Sequence, residues 1–421
     1  MPIFKPFKAI RPPRDKAHLV ASRSYISYPK NELKDKLNGN PYTFLHLINP
    51  EASLGLKPTK NTLDRFKLVK DRFDEWVKND YFHTDEQPGF YIYRQTQPNL
   101  VFTGILGCTS VYDYEAGKIK IHEHTLTERE QVFVNYLDAT EFHAEPVLLT
   151  YPDDSGIQEL VDQYAETRAD FDFTTTDTIR HQLWPVWDKQ HIARIEQRFA
   201  AIDAFYIADG HHRSASSHKL AQQRRQENPA MEANDGANFF MSILIPESEM
   251  HIEPFHRLVT DLNGKSTEQL LQELERDFVV TLAADGQAAK PHIIHEFAMY
   301  LDKTWYDLEL KKNPGADASP VEKLDPYIIT ERILVPILGI GDVKTDTRLT
   351  CIGGKDGFKN IEKQVNSGKF AIGFWLFPTS IQQVKEIADN NLYMPPKSTW
   401  VEPKLRSGLT VFEFGSGVKI D

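Results

Sequence analysis

The stretch FYIADGHHRSASSHKLAQ, residues 205–222, joins an apolar run to a polar bend and then to a helical pattern. The run FYIA predicts a buried strand, and Asp209-Gly210 predicts a turn, because glycine accepts the positive φ that a sharp bend often needs. From His212 onward the pattern predicts a helix. The N–H groups and the dipole at the start of such a helix favour an anion, such as a phosphate, in the bend.

The side chains of this bend are candidates for binding and chemistry. Arg213 lies in the first helical turn, where a cation opposes the helix dipole, so we expect an anion to compensate it. His211 and His212 can donate protons, bind phosphate or bind a metal, and the sequence leaves these roles open. Adjacent histidines lack the spacing of a helical zinc site, whereas magnesium held by Asp209 and substrate phosphates fits better. The structural alternative is an Asp209 N-cap with surface histidines.

The segment GKIKIHEHT, residues 117–125, alternates in a way that predicts a strand. On such a strand Glu123 shares its face with Ile119 and Ile121. Burial there would raise the pKa of Glu123 and suit it to act as a general base. The alternative is that the strand has already ended and Glu123 faces solvent.

The segment MPPKSTWVEPKLRSG, residues 394–408, is a third candidate. Its polar and basic side chains can hold phosphate or carboxylate through charge-assisted hydrogen bonds. It is not a Walker A loop, because the glycines are missing and no strand leads into it. A basic surface loop is the alternative. The candidate binding residues are Lys397, Ser398, Thr399, Lys404 and Arg406.

Composition narrows the classes of protein. The chain has 421 residues, 40% of them hydrophobic, and a formal net charge of −11, which opposes nonspecific binding to nucleic acid. No run approaches the roughly 18 apolar residues of a membrane helix, and the N-terminus lacks the apolar core of a secretory signal. Cys108 and Cys351 are the only cysteines, too few for a disulfide framework. We therefore expect a cytoplasmic protein that does not span a membrane.

The pattern of elements predicts an α+β fold of two domains. Residues 91–96 and 101–114 predict a hairpin, and 145–153 and 238–247 predict further strands of one mixed sheet. We place a boundary near residue 265. The N-terminal region is then 1–265, with the catalytic core at about 90–265, and an α/β domain at 266–421 contributes the MPPKSTW loop.

Six motifs together resemble the bacterial and archaeal family DUF1015, a family with no established activity. They are FLHLINPE, KIKIHEHT, LDATEFHAEPVLLTY, YIADGHHRSAS, LVPILGIG and MPPKSTWVEPKLRSG. The resemblance covers nearly the whole chain. One departure is SRSYISYP around Tyr25, where many members have a sequence like Pro-Pro-Tyr-Asp, so the acidic residue of those members is absent here.

The DGHHR stretch is also similar to the ParB and sulfiredoxin superfamily, in which the comparable turn binds nucleotide phosphates. Free-serine kinases of that superfamily carry Asp-Gly-His and an upstream catalytic glutamate, which match Asp209, Gly210, His211 and Glu123. The segment between Glu123 and Asp209 is longer here than in those kinases. This resemblance implies a ParB/sulfiredoxin-like nucleotide-binding core.

The resemblance further implies a small-molecule phosphotransferase that uses ATP or ADP with Mg²⁺ on serine or a similar hydroxylated metabolite. Glu123 would accept the hydroxyl proton, and the bend from Gly210 to Arg213 would hold the phosphates. Asp209 would hold magnesium or orient the nucleophile. The alternative is a nucleotide-binding switch of the ParB type without kinase activity. A nuclease ranks last, because the chain is acidic and shows no helix-turn-helix with a basic face.

Overall fold

The computed structural model describes residues 1–24, 27–51, 61–283, 290–354 and 357–421. The departure noted around Tyr25 falls partly outside these residues. The chain divides into a first unit, Met1–Ile121, Thr125–Met250 and Pro403–Asp421, and a second unit, His122–His124 and His251–Glu402. The division differs from a single boundary near residue 265, and the end of the chain returns to the first unit. That each unit is an independent domain stays a prediction.

The first unit is built on a mixed sheet of nine strands. Their order is β6-β11-β8-β12-β5-β4-β10-β9, with β1 pairing β5. Strand β11 pairs in parallel with β6 and antiparallel with β8. The strands are β1 (Phe4–Lys5), β4 (Phe90–Gln97), β5 (Leu100–Ser110), β6 (Ile119–Lys120), β8 (Val147–Tyr151), β9 (Phe171–Thr174), β10 (Arg180–Val186), β11 (Phe205–Asp209) and β12 (Phe239–Pro246).

The described part of this unit also has two strand pairs, the nine α-helices named below and two 3-10 helices, Gly236–Asn238 and Glu247–Glu249. The pairs are β2 (Ile10–Arg11) with β3 (His83–Thr84), and β7 (Phe142–His143) with β21 (Phe412–Glu413). The α-helices are α1 (Ala17–Val20), α2 (Lys30–Gly39), α3 (Leu45–Ile48), α4 (Leu63–Lys78), α5 (Val111–Glu115), α6 (Thr127–Thr140), α7 (Ser155–Ala165), α8 (Lys189–Phe199) and α9 (His211–Glu227).

The second unit has a six-stranded antiparallel sheet and a separate strand pair, β13 with β20. Its strands are β13 (His251–Glu253), β14 (Phe255–Val259), β15 (Phe278–Leu282), β16 (Glu296–Leu301), β17 (Thr304–Leu310), β18 (Leu349–Gly353), β19 (Ile372–Leu376) and β20 (Trp400–Glu402). Its helices are α10 (Thr267–Leu274), α11 (Asp325–Ile329), α12 (Gly357–Asn366) and α13 (Ile381–Asp389).

Apolar runs in the sequence form the interior of the first sheet. Residues 205–208 are buried, and Phe205 and Ile207 lie in the same apolar core as Leu149 and Phe240 from neighbouring strands. Burying such side chains is the main favourable contribution to folding, about 1.5–3 kcal/mol for each large one. The end of β11 is therefore held rigidly, which fixes the position of the bend that follows.

The prediction of a mixed α and β structure with a mixed sheet is confirmed. The predicted hairpin forms, with Gln97 opposite Leu100 across a two-residue turn. The second of its strands ends earlier than predicted, since β5 stops at Ser110 and residues 111–115 form a helix. The ParB/sulfiredoxin-like core stays a prediction. None of the helices in the described residues has the length and hydropathy needed to cross a membrane.

Candidate functional site

The bend between β11 and α9 forms at the predicted place. Asp209 is the last residue of β11, Gly210 lies directly before α9, and His211 opens a helix of 17 residues. Gly210 has a φ of 106°, a conformation that side chains rarely adopt. A Cβ at this position would lie 3.0 Å from Arg213 Nη2 and 3.3 Å from Val147 Cγ1. Glycine is thus required here by both the backbone angle and the lack of space.

Arg213 turns back over Gly210 and pairs with a carboxylate of the protein. Its Nη1 lies 2.5 Å from Glu145 Oε1, and the two side chains are 18% and 30% exposed. Burial lowers the pKa of Arg213, but the charges of Glu145 and Asp209 outweigh it and the pKa is raised. The anion expected beside Arg213 is therefore the carboxylate of Glu145, and a bound phosphate in the bend stays a prediction.

Asp209 has its own cationic partner. Lys404 Nζ lies 3.5 Å from Asp209 Oδ2, and the carboxylate side chain is 47% exposed. Burial raises the pKa of Asp209, but the charges of Lys404 and Arg213 and a hydrogen bond from the Gly210 N–H lower it overall. Asp209 is consequently an ionised carboxylate that solvent and small solutes can reach.

The histidines around the bend differ in their surroundings. His211 is buried, with 5% of its surface exposed, whereas His212 is partly exposed. His143, on β7, is also buried, and burial together with the charge of Arg213 lowers its pKa to about 3. His143 is therefore neutral at physiological pH and does not add to the positive charge of the site.

Arg406 is in the first unit, but its contacts are with a different set of residues. Its Nη2 donates to Asp177 Oδ2 at 2.6 Å, and the side chain is 4% exposed. Burial raises the pKa of Asp177, but hydrogen bonds from Arg406 and Thr175 and the charge of Arg406 lower it to about 2. The described contacts give Arg406 the role of an internal ion-pair partner rather than of a ligand to the bend.

Three of the predicted residues in the C-terminal segment, Lys397, Ser398 and Thr399, belong to the second unit. Lys397 has a φ of 57°, and its carbonyl accepts a hydrogen bond from Arg257 Nη2 at 3.0 Å. The Ser398 hydroxyl donates to the Pro395 carbonyl, and Thr399 is partly exposed. Only Lys404, of the five predicted residues in this segment, has a described contact with a residue of the bend.

Glu123 lies after the end of a strand, not on its apolar face. Strand β6 covers only Ile119 and Lys120, and Glu123 is exposed in a bend that follows it. The predicted strand over residues 117–125 is thus wrong beyond Lys120, because β6 is a short edge strand with a single neighbour, β11. The argument that burial raises the pKa of Glu123 no longer applies. Its role as a base stays a prediction.

A magnesium ion at the bend would depend on the carboxylates present there. Within the described residues, no three His, Cys, Asp or Glu side chains are grouped so as to hold a metal ion. Mg²⁺ usually takes one or two protein carboxylates and completes its shell with water and substrate phosphates. The exposed carboxylate of Asp209 suits that arrangement, in which the ligand brings most of the oxygen atoms.

Glu145 and His143 are site residues that the sequence reasoning missed. Both lie in the motif LDATEFHAEPVLLTY, which carries the family resemblance and whose residues from 145 onward predict a strand. An acidic residue two positions before a buried strand was a usable signal, because β8 pairs directly with β11. Because the pairing is antiparallel, the start of β8 lies beside the end of β11.

Several solved structures are similar to parts of the chain. A variant of a free serine kinase in complex with AMP is 12% identical, with a TM-score of 0.37, over 72% of this chain and 91% of that one. A conserved hypothetical protein from Pyrococcus furiosus is 12% identical, with a TM-score of 0.36, over 72% and 94%. SbnI with a C-terminal truncation, from Staphylococcus aureus, is 14% identical, with a TM-score of 0.40, over 75% and 90%.

A search among curated proteins found no match. The model of the family DUF1015, described as a protein of unknown function, matches residues 4–327, which is more than half of the chain. The expected family membership is confirmed. The chain belongs to the DUF1015 family.

Proposed function

We propose that the bend from Asp209 to Arg213 binds the phosphates of a nucleotide and that the protein is a small-molecule phosphotransferase. The observation that carries the proposal is that two cationic side chains, Arg213 and Lys404, lie beside the residues that begin a 17-residue helix. The positive end of the helix dipole adds to their charges. Gly210 leaves room for the Arg213 guanidinium directly over the bend, since a Cβ there would lie 3.0 Å from Arg213 Nη2.

Asp209 has the properties of a magnesium ligand rather than of a base. Its partial burial raises its pKa, but the charges of Lys404 and Arg213 lower the pKa overall, so Asp209 is ionised at neutral pH and holds a proton weakly. An accessible carboxylate of this kind can hold Mg²⁺ jointly with the phosphates of ATP or ADP. The ion would neutralise phosphate charge during transfer, while Arg213 and Lys404 hold phosphate oxygens.

The acceptor is proposed to be serine or a similar hydroxylated metabolite, from the resemblance of the Asp-Gly-His motif to free-serine kinases. The hydroxyl oxygen of the acceptor attacks the terminal phosphorus, and its proton passes to a base, for which the same resemblance favours Glu123. The bond from phosphorus to the bridging oxygen breaks, and the nucleotide leaves with the electron pair. ATP thus yields ADP, or ADP yields AMP, together with the phosphorylated alcohol.

The direct test is incubation of the purified protein with serine, Mg²⁺ and either ATP or ADP, followed by detection of phosphoserine. The proposal expects phosphoserine that appears only when both substrates are present, and a loss of product in the Asp209→Asn variant. Other hydroxylated metabolites should be tested in the same assay. Nucleotide binding with no transfer to any acceptor would instead support a nucleotide-binding switch.

A further inference from the structure

We propose that Glu145 occupies, on Arg213, the place that a ligand phosphate takes, so that a ligand must displace it to bind. The inference rests on the proposed nucleotide binding at the bend and assigns a role to a residue outside the DGHHR motif. It makes Glu145 a specificity-determining residue, which favours ligands with several negative charges.

The contact geometry supports a replaceable partner. Glu145 Oε1 and Arg213 Nη1 are 2.5 Å apart, and both side chains remain partly exposed. The guanidinium also covers Gly210, since a Cβ there would lie 3.1 Å from Arg213 Nε. Arg213 is thereby turned toward the start of α9, where a phosphate would lie. Because most of both side chains is buried, Arg213 needs an anionic partner at all times, and only a ligand that supplies its own negative charge can take the place of Glu145.

The charges around the bend explain why a diphosphate would be favoured over a ligand with a single carboxylate. Arg213 and Lys404 face Glu145 and Asp209, two cations against two carboxylates, and the low pKa of His143 keeps that imidazole neutral. A ligand carboxylate offers Arg213 no more charge than Glu145 already does. A diphosphate offers more charge and more acceptor oxygens, so it can replace Glu145 with a net gain.

The test compares the dissociation constant of ADP for wild-type protein, Glu145→Gln and a control variant, measured by calorimetry at fixed salt and Mg²⁺ concentrations. Glutamine keeps the shape of the side chain and can still accept a hydrogen bond from Arg213, but it lacks the competing charge. We expect Glu145→Gln to bind ADP about tenfold more tightly, the size of one charge-assisted hydrogen bond. Binding of adenosine, which has no phosphate, should not change.

Asp172→Asn is the matched control. Asp172 also pairs with an arginine, with its Oδ2 2.7 Å from Arg180 Nη2, but it lies on β9 at the opposite edge of the sheet from β11. Loss of that pair should leave ADP binding unchanged. If Glu145→Gln does not fold, Glu145→Asp is used, whose shorter side chain should weaken the pair and tighten ADP binding by a smaller factor.

The outcomes separate the two proposals. If wild-type protein binds ADP and Glu145→Gln binds it equally or more weakly, Glu145 only positions Arg213, and this inference is wrong while the proposed function stands. If neither protein binds ADP or ATP, the proposed function fails and this inference fails with it. Tighter binding of ADP in the variant, with adenosine and the Asp172→Asn control unchanged, supports both.

Discussion

The ends of β11 and β6 are neighbours in one sheet, yet they differ in almost every property that matters for a site. Strand β11 has five residues, four of them buried, and leads into a long helix. Strand β6 has two residues, and Glu123 follows it in an exposed bend. A strand with neighbours on both sides holds the residues that follow it, whereas an edge strand with one neighbour ends early. Rigid placement is what binding of phosphate needs.

The two acidic residues at these ends differ in the same way. Asp209 has Lys404 at 3.5 Å and feels the charge of Arg213, which together outweigh burial and lower its pKa. The Glu123 side chain is exposed, and the apolar strand face predicted for its segment does not form. The proposed roles differ accordingly, because the ionised Asp209 is the proposed ligand of a cation and the exposed Glu123 is the proposed base.

The largest expected effect is on turnover. If Glu123 is the base, Glu123→Gln should lower phosphoserine formation about 10²–10⁴-fold, the usual range for general base catalysis, while the ADP dissociation constant is unchanged. Glu128→Gln, an exposed glutamate in the first turn of α6, is the control. Normal turnover in Glu123→Gln would remove Glu123 from the mechanism, and lost ADP binding would give it a structural role.

The next largest effect is on stability and concerns Asp325, an aspartate whose pKa is raised where that of Asp209 is lowered. In the second unit, burial, followed by the charge of Glu296, raises the pKa of Asp325 to about 7, although the His295 N–H donates to it. Its Oδ2 has no hydrogen-bond partner among the described residues.

Because this pKa is raised, the stability that Asp325 contributes falls as the pH rises. The stability that Asp325 contributes is fully present below its ordinary pKa of 3.8 and is lost as the pH rises through about 7. We expect Asp325→Asn to be about 2–4 kcal/mol more stable than wild type at pH 8, with little difference near pH 4. Urea denaturation at the two pH values measures this. Equal stabilities at pH 8 would show that Asp325 is ionised without cost.

A smaller effect is expected from removing one cation of the bend. Arg213→Met should weaken ADP binding about 10–100-fold, the loss of one charge-assisted contact, and should leave adenosine binding unchanged. Arg180→Met, which breaks the pair with Asp172 at the other edge of the sheet, is the control. Equal losses of ADP binding in both variants would place the phosphates elsewhere.

The smallest effect compares two glycines, one before β6 and one after β11. Gly117 has a φ of 67° with nothing within 4 Å of a Cβ, whereas Gly210 combines a φ of 106° with contacts at 3.0–3.3 Å. Alanine at position 117 should cost about 1 kcal/mol of unfolding free energy, and alanine at position 210 about 2–3 kcal/mol. Chemical denaturation of both variants tests this. Equal costs would mean that Arg213 moves away freely.

The sequence predicted the mixed sheet and the bend well because the physical signals there are local. The run FYIA is continuous and apolar, and Asp209-Gly210 follows it directly, so strand, turn and helix follow one another within a dozen residues. The strand prediction after Gly117 was wrong beyond Lys120, because the alternation of apolar and polar residues does not show that a strand lies at the edge of a sheet and ends early. Glu145 and Lys404 were harder to place because their contacts are not local. Glu145 contacts Arg213 through the pairing of β8 with β11, and Lys404 contacts Asp209 after the chain has returned to the first unit.

The most direct test of the central claim is amide hydrogen exchange measured by mass spectrometry with and without ADP and Mg²⁺. Binding of phosphate at the bend predicts slower exchange in peptides covering residues 205–216, and the same peptides should respond more strongly in Glu145→Gln at subsaturating ADP. Peptides covering Asp172 and Arg180 should not change. Protection that appears elsewhere in the chain and spares residues 205–216 would contradict the claim.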